Sequence, residues 1–431
     1  MLQKLFGFDH AKHSIRTELL AGLTTFLAMS SILAVNPQIF GLIEGMPIGA
    51  VFTATALAAI VGSLAMAIIG KLPFGLAPGM GLNAFFVYTV CLGMGYSWQF
   101  ALTAVFLEGL IFIVLTLTNV REAIVNAIPL SLKNAIGTGI GLFIAFIGLQ
   151  NCGIIVKNDA TLVGLGDITS GSPLLGIIGL IITAWFAIRK IRGAMLIGIL
   201  VTTAIGIPMG VTDFNGSIMS MPHSISDICC QFEWSNVFSI DMLIVVFTFM
   251  FIDMFDTVGT LVGVCTKSKM MGPDGSIPRV KQAFMADAIA TTVGACFGTS
   301  TTTTYVESAA GVQQGGRTGL TAFSVAVCFA IALFFSPIFL AIPSAAIAPV
   351  LLIVGLSMMG SVRNIPFDDY SESVPAYITL IMMPLTYSIS DGILLGMISY
   401  VLINVVCGKF KKVSPAMYVL AVIFILKYMY I

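Results

Sequence analysis

Charge is the scarcest ingredient of this 431-residue chain. Only 9% of its residues are Asp, Glu, Lys or Arg, against about 25% in an ordinary soluble domain. The 20 basic and 20 acidic residues cancel, so there is no net positive field to hold a nucleic acid. Long hydrophilic stretches are missing too, and with them any separate soluble catalytic domain. Histidine is rarer still: His10, His13 and His223 all fall in terminal or loop regions, which leaves no imidazole inside the apolar segments to relay protons. Of eight cysteines, Cys91, Cys152, Cys265, Cys296, Cys328 and Cys407 sit in apolar runs, and Cys229 and Cys230 are neighbours in one loop. A thiol in an apolar run packs as a small hydrophobe, and these spacings make neither a disulfide framework nor a metal site. The glycine-rich run Gly315-Gly316-Arg317-Thr318-Gly319 lacks the Gly-Lys-Ser/Thr ending and the preceding strand of a phosphate-binding loop. No metal-ligand cluster and no nucleophile–base arrangement stands out, so neither a cofactor nor an enzyme activity is expected.

What remains is apolar: 58% of residues are hydrophobic and the mean hydropathy is +1.03. These values describe an all-α polytopic membrane protein. Apolar runs bounded by charge, Pro and Gly place spans near 15–35, 48–70, 79–91, 98–119, 131–150, 174–188, 193–208, 237–263, 283–297, 302–314, 317–336, 343–360, 373–388 and 391–407. The weakly basic N-terminus runs into the first span without a small-residue cleavage site and is expected to be retained. With that terminus in the cytoplasm, eighteen of the twenty basic residues fall inside, Lys157 falls outside, and Lys427 lies in a final apolar stretch whose placement stays open. An error of one span would scramble this bias downstream, so the count supports fourteen spans. The loop 209–236 carries Asp213, Asp227 and Glu233 but no Lys or Arg and is expected outside. The loop 266–282 is basic and expected inside.

Two short segments interrupt the pattern. The third, Gly75-Leu76-Ala77-Pro78-Gly79-Met80-Gly81-Leu82-Asn83-Ala84-Phe85-Phe86, is broken by Gly and Pro. The tenth opens Gly298-Thr299-Ser300-Thr301-Thr302-Thr303-Thr304-Tyr305-Val306-Glu307 with a run of hydroxyls. Irregular backbone at membrane depth persists only where protein or a water-filled cavity satisfies its N–H and C=O groups, which is how transporters build their binding sites. Splitting the chain near residue 220 gives two halves of seven spans with corresponding landmarks: a long first span, a broken third and a fourth soon after. An odd number of spans per half makes this an inverted repeat.

The polar inventory within the spans is short. Asp253 and Asp256 lie three residues apart on one face of the eighth span, with Thr257 and Thr260 extending it. A carboxylate at bilayer depth costs about 2.5 kcal/mol or more, so it faces a cavity or a partner. Either carboxylate can accept a substrate N–H or carry a proton, or else cap a helix or bond the threonine run. Glu307 is the only carboxylate of the tenth segment. It sits where a half-helix would begin with unpaired N–H groups, although Thr304 three residues earlier also fits a capping box. Asn83 offers donor and acceptor to a polar planar ligand or to unwound backbone, and Phe85, Phe86 and Tyr305 are candidates to stack on an aromatic one. Glu18, Glu108 and Asp287 are open to a proton route or, as the plainer reading, to pairing with Lys, Thr or backbone.

At Gly79-Met80-Gly81-Leu82-Asn83-Ala84-Phe85-Phe86, at Asp253-Met254-Phe255-Asp256-Thr257-Val258-Gly259-Thr260, and at Thr301 through Gly311 with Gly316-Arg317-Thr318-Gly319, the chain resembles the AzgA-like adenine/guanine/hypoxanthine permeases, a branch of the nucleobase–cation symporters. The resemblance covers essentially the whole chain. It implies a seven-plus-seven inverted repeat with a core domain (1–119 and 237–336), a gate domain (120–236 and 337–407) and a tail (408–431). It further implies an often dimeric protein of the cell membrane that moves a purine nucleobase with protons by alternating access. By position, the family's substrate carboxylates match Asp253 and Glu307, and its third-span asparagine matches Asn83. Asp256 is kept as a partner, with Phe85 and Thr304 beside the substrate; Asp253, Asp256 and Glu307 are the proton-coupling candidates. The related uracil permeases carry Glu and a nearby His where this chain has Asp253 and no His, so binding is better supported than coupling. A uracil or xanthine permease, a sulfate-type anion transporter of the same architecture, and a channel or receptor are the alternatives. Two or three carboxylates at one site would repel an anion.

Overall fold

The computed structural model describes residues 2–118, 128–191, 193–214, 216–267, 270 and 277–430. Arg121, Arg192, Lys269 and much of the basic loop 266–282 lie outside the described residues. Among those residues, seven helices are long and apolar enough to cross a membrane: Ile15–Phe40, Ile48–Gly70, Trp98–Leu117, Leu130–Asn151, Gly171–Ile188, Gly319–Leu340 and Ser344–Asn364. Met80–Gly93, Ala194–Gly206 and Asp391–Val406 are shorter apolar helices. Ile240–Lys267, Val280–Phe297 and Tyr370–Leu385 carry the charges that lower their hydropathy. With the six-residue helix Ser308–Gln313, every expected span has a helical counterpart, and a further helix, Pro415–Tyr430, follows them.

The chain divides into two compact units. One comprises Met1–Leu117 and Gly148–Val350, the other Thr118–Ile147 and Leu351–Ile431. The sixth and seventh spans therefore cluster with the first four in this division. One contact behind this is Gly193, at the head of the seventh span, where an added β-carbon would stand 3.1 Å from Leu27 Cβ in the first.

In the first unit, helices approach through small residues, as packing without a hydrophobic drive requires. A β-carbon on Gly22 would fall 2.4 Å from Ser324 Cβ, one on Gly311 2.5 Å from the Ala21 carbonyl oxygen, and one on Gly109 2.8 Å from Thr292 N. The first span thus lies directly against the eleventh and against Ser308–Gln313, and the fourth against the ninth. Glu18 fixes the first of these contacts. Buried at 1% exposure, its carboxylate accepts from Arg317 N at 3.1 Å, Thr318 N at 3.2 Å and Thr321 Oγ1 at 2.5 Å, and so satisfies the free amides that open helix Gly319–Ala332. Its role here is the pairing with threonine and backbone.

In the second unit, Gly392 and Gly396 let helix Ile389–Val406 settle on Tyr370–Leu385, with Thr379 filling the space over Gly396. The buried carboxylate of Glu372 accepts from Ser131 Oγ and, at 3.3 Å, from Tyr400 OH, and pairs with Lys412 at 2.6 Å.

The ninth span stops at Gly298, whose φ of +93° belongs to the left-handed C-terminal turn that glycine favours. The amides of Gly298 and Thr299 reach back to the Ala295 and Gly294 carbonyls. A β-carbon there would sit 2.8 Å from both Cβ and O of Ile228. Gly298→Val should cost about 2–4 kcal/mol in strain and overlap, read as a lowered thermal midpoint of the purified protein.

Candidate functional site

The two broken segments meet as a pair of strands. Leu76–Pro78 runs antiparallel to Thr302–Thr304, with Leu76 opposite Thr304, Ala77 opposite Thr303 and Pro78 opposite Thr302. Three more bonds extend the pairing: Tyr305 N donates to Gly75 O at 3.0 Å, Gly79 N to Thr301 O at 3.0 Å, and Tyr305 OH to Pro78 O at 2.5 Å. Unwound backbone at this depth has thereby found its partners within the protein. Pro78 has no N–H to offer the ladder and stands at the end of the strand, where a proline is tolerated.

Corresponding helices of the two halves hold this ribbon in the same way. From the second span, Ser63 Oγ accepts from Leu76 N at 3.1 Å and lies 3.2 Å from Leu76 O. From the ninth, Thr291 Oγ1 donates to Thr302 O at 3.1 Å. Beside them Gly62 and Gly294 leave room for the strands: a β-carbon on Gly62 would stand 3.0 Å from Leu76 Cβ, and one on Gly294 2.9 Å from Thr302 Oγ1. The hydroxyls tie the ends as well. Gly75 N donates to Ser308 Oγ at 3.0 Å, and Thr301 Oγ1 donates to Glu108 Oε2 at 2.6 Å. Ser63, Ser308 and Thr291 were not singled out from the sequence; isolated hydroxyls in spans carry no signal until the strand they serve is known.

Around the ribbon the carboxylates differ in exposure and in the hydroxyls they meet. Asp256 accepts from Thr303 Oγ1 at 3.2 Å, so it faces the second strand, and it keeps some accessible surface. Glu307, directly ahead of helix Ser308–Gln313, is also partly accessible, and Asp256 is near enough for the two charges to act on each other and on Tyr305. Asp253, at 0% exposure, is turned elsewhere: Thr257 Oγ1 stands 3.3 Å from Asp253 Oδ1 and 3.1 Å from Asp287 Oδ2, between the eighth and ninth spans. The shared face expected for Asp253 and Asp256 is thus divided between two neighbours.

Asn83 is fully buried at the first turn after the first strand. Its Oδ1 accepts from Ser300 Oγ, while its Nδ2 has no hydrogen-bond partner among the described residues. Thr304 Oγ1 is likewise without one. The capping box expected of Thr304 and Glu307 does not form, because the helix starts only at Ser308 and Thr304 belongs to the strand. Phe85, at 1% exposure, meets Phe249 edge-on at 4.8 Å between ring centres, and Phe86 packs against Phe40. Both rings are part of the packing behind the site. The groups left to address a ligand are two partly accessible carboxylates, an amide donor and a hydroxyl, a set that suits a neutral planar molecule rich in N–H donors and ring acceptors.

Residues 16–395 match the Xan_ur_permease family, described as a permease family. The guanine/hypoxanthine permease PbuG of Bacillus subtilis is 45% identical over 100% of both chains. The adenine permease AdeP of Escherichia coli is 43% identical over 100% of this chain and 96% of its own. Among solved structures, the transmembrane domain of the cyanobacterial bicarbonate transporter BicA superimposes with a TM-score of 0.66 over 88% of this chain and 97% of that one, at 16% identity. The murine anion transporter Slc26a9 in its inward-facing state gives 0.66 over 94% and 70%, at 13% identity. At such identities these two speak for the fold, a seven-plus-seven inverted repeat, and not for the cargo. With its interrupted segments joined as a strand pair and its sequence matched from end to end by permeases, the chain belongs to the permease family, a multi-pass membrane transporter.

Proposed function

We propose that this permease imports purine nucleobases, hypoxanthine, guanine or adenine, across the cell membrane, with the N-terminus in the cytoplasm and protons as the coupling ion. The observation that carries the reading is the convergence of Asp256 and Glu307, both partly accessible, on the strand pair of the two broken spans. A purine presents ring N–H groups to such carboxylates and ring nitrogens to donors such as Asn83 Nδ2, and the named activities of the adenine and guanine/hypoxanthine permeases above support the same class. Asp253, a buried carboxylate linked through Thr257 to Asp287, is proposed as the proton carrier, with direct contact to the base as the other role open to it. Transport proceeds by alternating access, the core (1–119 and 237–336) moving as an elevator relative to the remaining spans, in a homodimer.

The test is uptake of radiolabelled hypoxanthine, guanine, adenine, uracil and sulfate into cells lacking their own permeases, with and without a protonophore. Concentrative purine uptake that collapses with the protonophore is the expected result. Uptake of uracil alone, or of sulfate alone, would overturn the substrate class. Purine uptake that only equilibrates would overturn the coupling.

A further inference from the structure

Three thiols meet where the loop 209–236 returns to the end of the ninth span. Cys229 Sγ and Cys230 Sγ are 3.9 Å apart, and the thiol of Cys296 is near enough to feel both. The backbone joins the same residues, since Cys230 N donates to Cys296 O at 2.8 Å. That carbonyl belongs to the last turn of a helix ending at Phe297, where no further helical amide is present to satisfy it. Cys230 reaches this bond with a φ of 53°, a left-handed conformation uncommon for a residue with a side chain.

This geometry discriminates between the possible pairings. Standard bond lengths across a 2.8 Å N–H···O=C bond hold the Cα atoms of Cys230 and Cys296 within about 6 Å of each other, below the disulfide upper limit of about 6.8 Å. The adjacent Cys229 and Cys230 have Cα atoms held at about 3.8 Å by one trans peptide, too close for ordinary disulfide geometry. Exposure separates them as well: Cys230 is exposed, while Cys229 and Cys296 are half-buried. A metal site is not the reading, for among the described residues no three Cys, His, Asp or Glu side chains are arranged to hold an ion.

We propose that Cys230 and Cys296 are a reversible redox pair, oxidised to a disulfide by exchange with a low-molecular-weight disulfide such as glutathione disulfide. The exposed Cys230 thiolate attacks the external disulfide, forming a mixed disulfide and releasing one thiol. The Cys296 thiolate then attacks the Cys230 sulfur, expels the second thiol and closes the Cys230–Cys296 bond. Two electrons and two protons pass from the protein to the external disulfide, which leaves as two thiols. The bond ties the loop to the chain two residues ahead of Gly298, and Ile228 already packs on that glycine where the hydroxyl-rich segment begins.

The full-length protein in membrane vesicles, open to reagent on both faces, is treated with glutathione disulfide, blocked with N-ethylmaleimide, and digested for mass spectrometry without reduction. A peptide holding Cys230 linked to one holding Cys296 is expected in the wild type and in Cys229→Ser, absent in Cys296→Ser, and lost on adding dithiothreitol. Cys230 recovered only as its glutathione adduct in the wild type, or a link made through Cys229 instead, would overturn the pairing. The readout needs no transport, so it stands or falls apart from the proposed substrate.

Discussion

Glu307→Gln and Asp256→Asn should each lower purine uptake about ten- to a hundredfold while the protein stays in the membrane at its normal level. A hydrogen bond to a charged group contributes about 1.5–3 kcal/mol, and every 1.4 kcal/mol is about tenfold in binding, so losing one such bond to the base is enough. Both amides keep the shape of the original side chain, and both positions retain some accessible surface, so the fold should lose little. The measurement is uptake at matched membrane expression, alongside the thermal midpoint of each purified variant. Asp253→Asn decides between the two aspartates of the eighth span. Because Asp253 is fully buried and linked to Asp287 through Thr257, we expect binding of the base to survive while its accumulation fails. A binding loss as large as that of Asp256→Asn would move the substrate contact to Asp253, and wild-type uptake by Glu307→Gln would remove Glu307 from the site.

Glu18→Ala should have the opposite profile, with protein lost before chemistry. The substitution removes the acceptor of Arg317 N–H and Thr318 N–H, the second of them buried, and leaves Thr321 O–H only the Glu18 carbonyl at 3.4 Å. An unsatisfied buried donor costs about 1–3 kcal/mol, so the total is about 2 kcal/mol or more, a large part of a membrane domain's margin. Low membrane abundance and early aggregation on a stepped heating series in detergent are the expected readouts. Normal heat resistance with abolished uptake would return Glu18 to a proton route.

These two glutamates show what the sequence can and cannot say. Hydropathy and the distribution of Lys and Arg made the fourteen spans legible, because the bilayer imposes a length and the topology a charge bias. Gly, Pro and a hydroxyl run made the third and tenth segments legible as breaks. Their pairing was not. Three residues such as Leu76-Ala77-Pro78 carry no strand signal, and the partner Thr302-Thr303-Thr304 lies far away in sequence, so only the folded chain brings them into register. Helical spacing put Asp253 and Asp256 on one face but could not say which neighbour each would meet. Thr304 and Glu307 had the spacing of a helix cap, yet the ribbon claims Thr304 first. Glu18, Glu108 and Asp287 all have hydroxyl partners in the structure, the plainer of the readings open to them. Phe85, a stacking candidate by sequence, packs edge-on against Phe249.

The strand pair also sets an order of assembly. Tyr305 closes on Pro78 across 227 residues of sequence, and the bonds between Ser300 and Asn83 and between Ser308 and Gly75 span similar distances. A nascent chain that has inserted only its first seven spans therefore holds Leu76–Pro78 without the strand that satisfies it, and the ribbon can close only after the ninth span has left the ribosome. Until then the first half must be sheltered by lipid, water or an insertion factor, and truncations ending before Thr302 should be degraded even though they keep five of the helices that are long and apolar enough to cross.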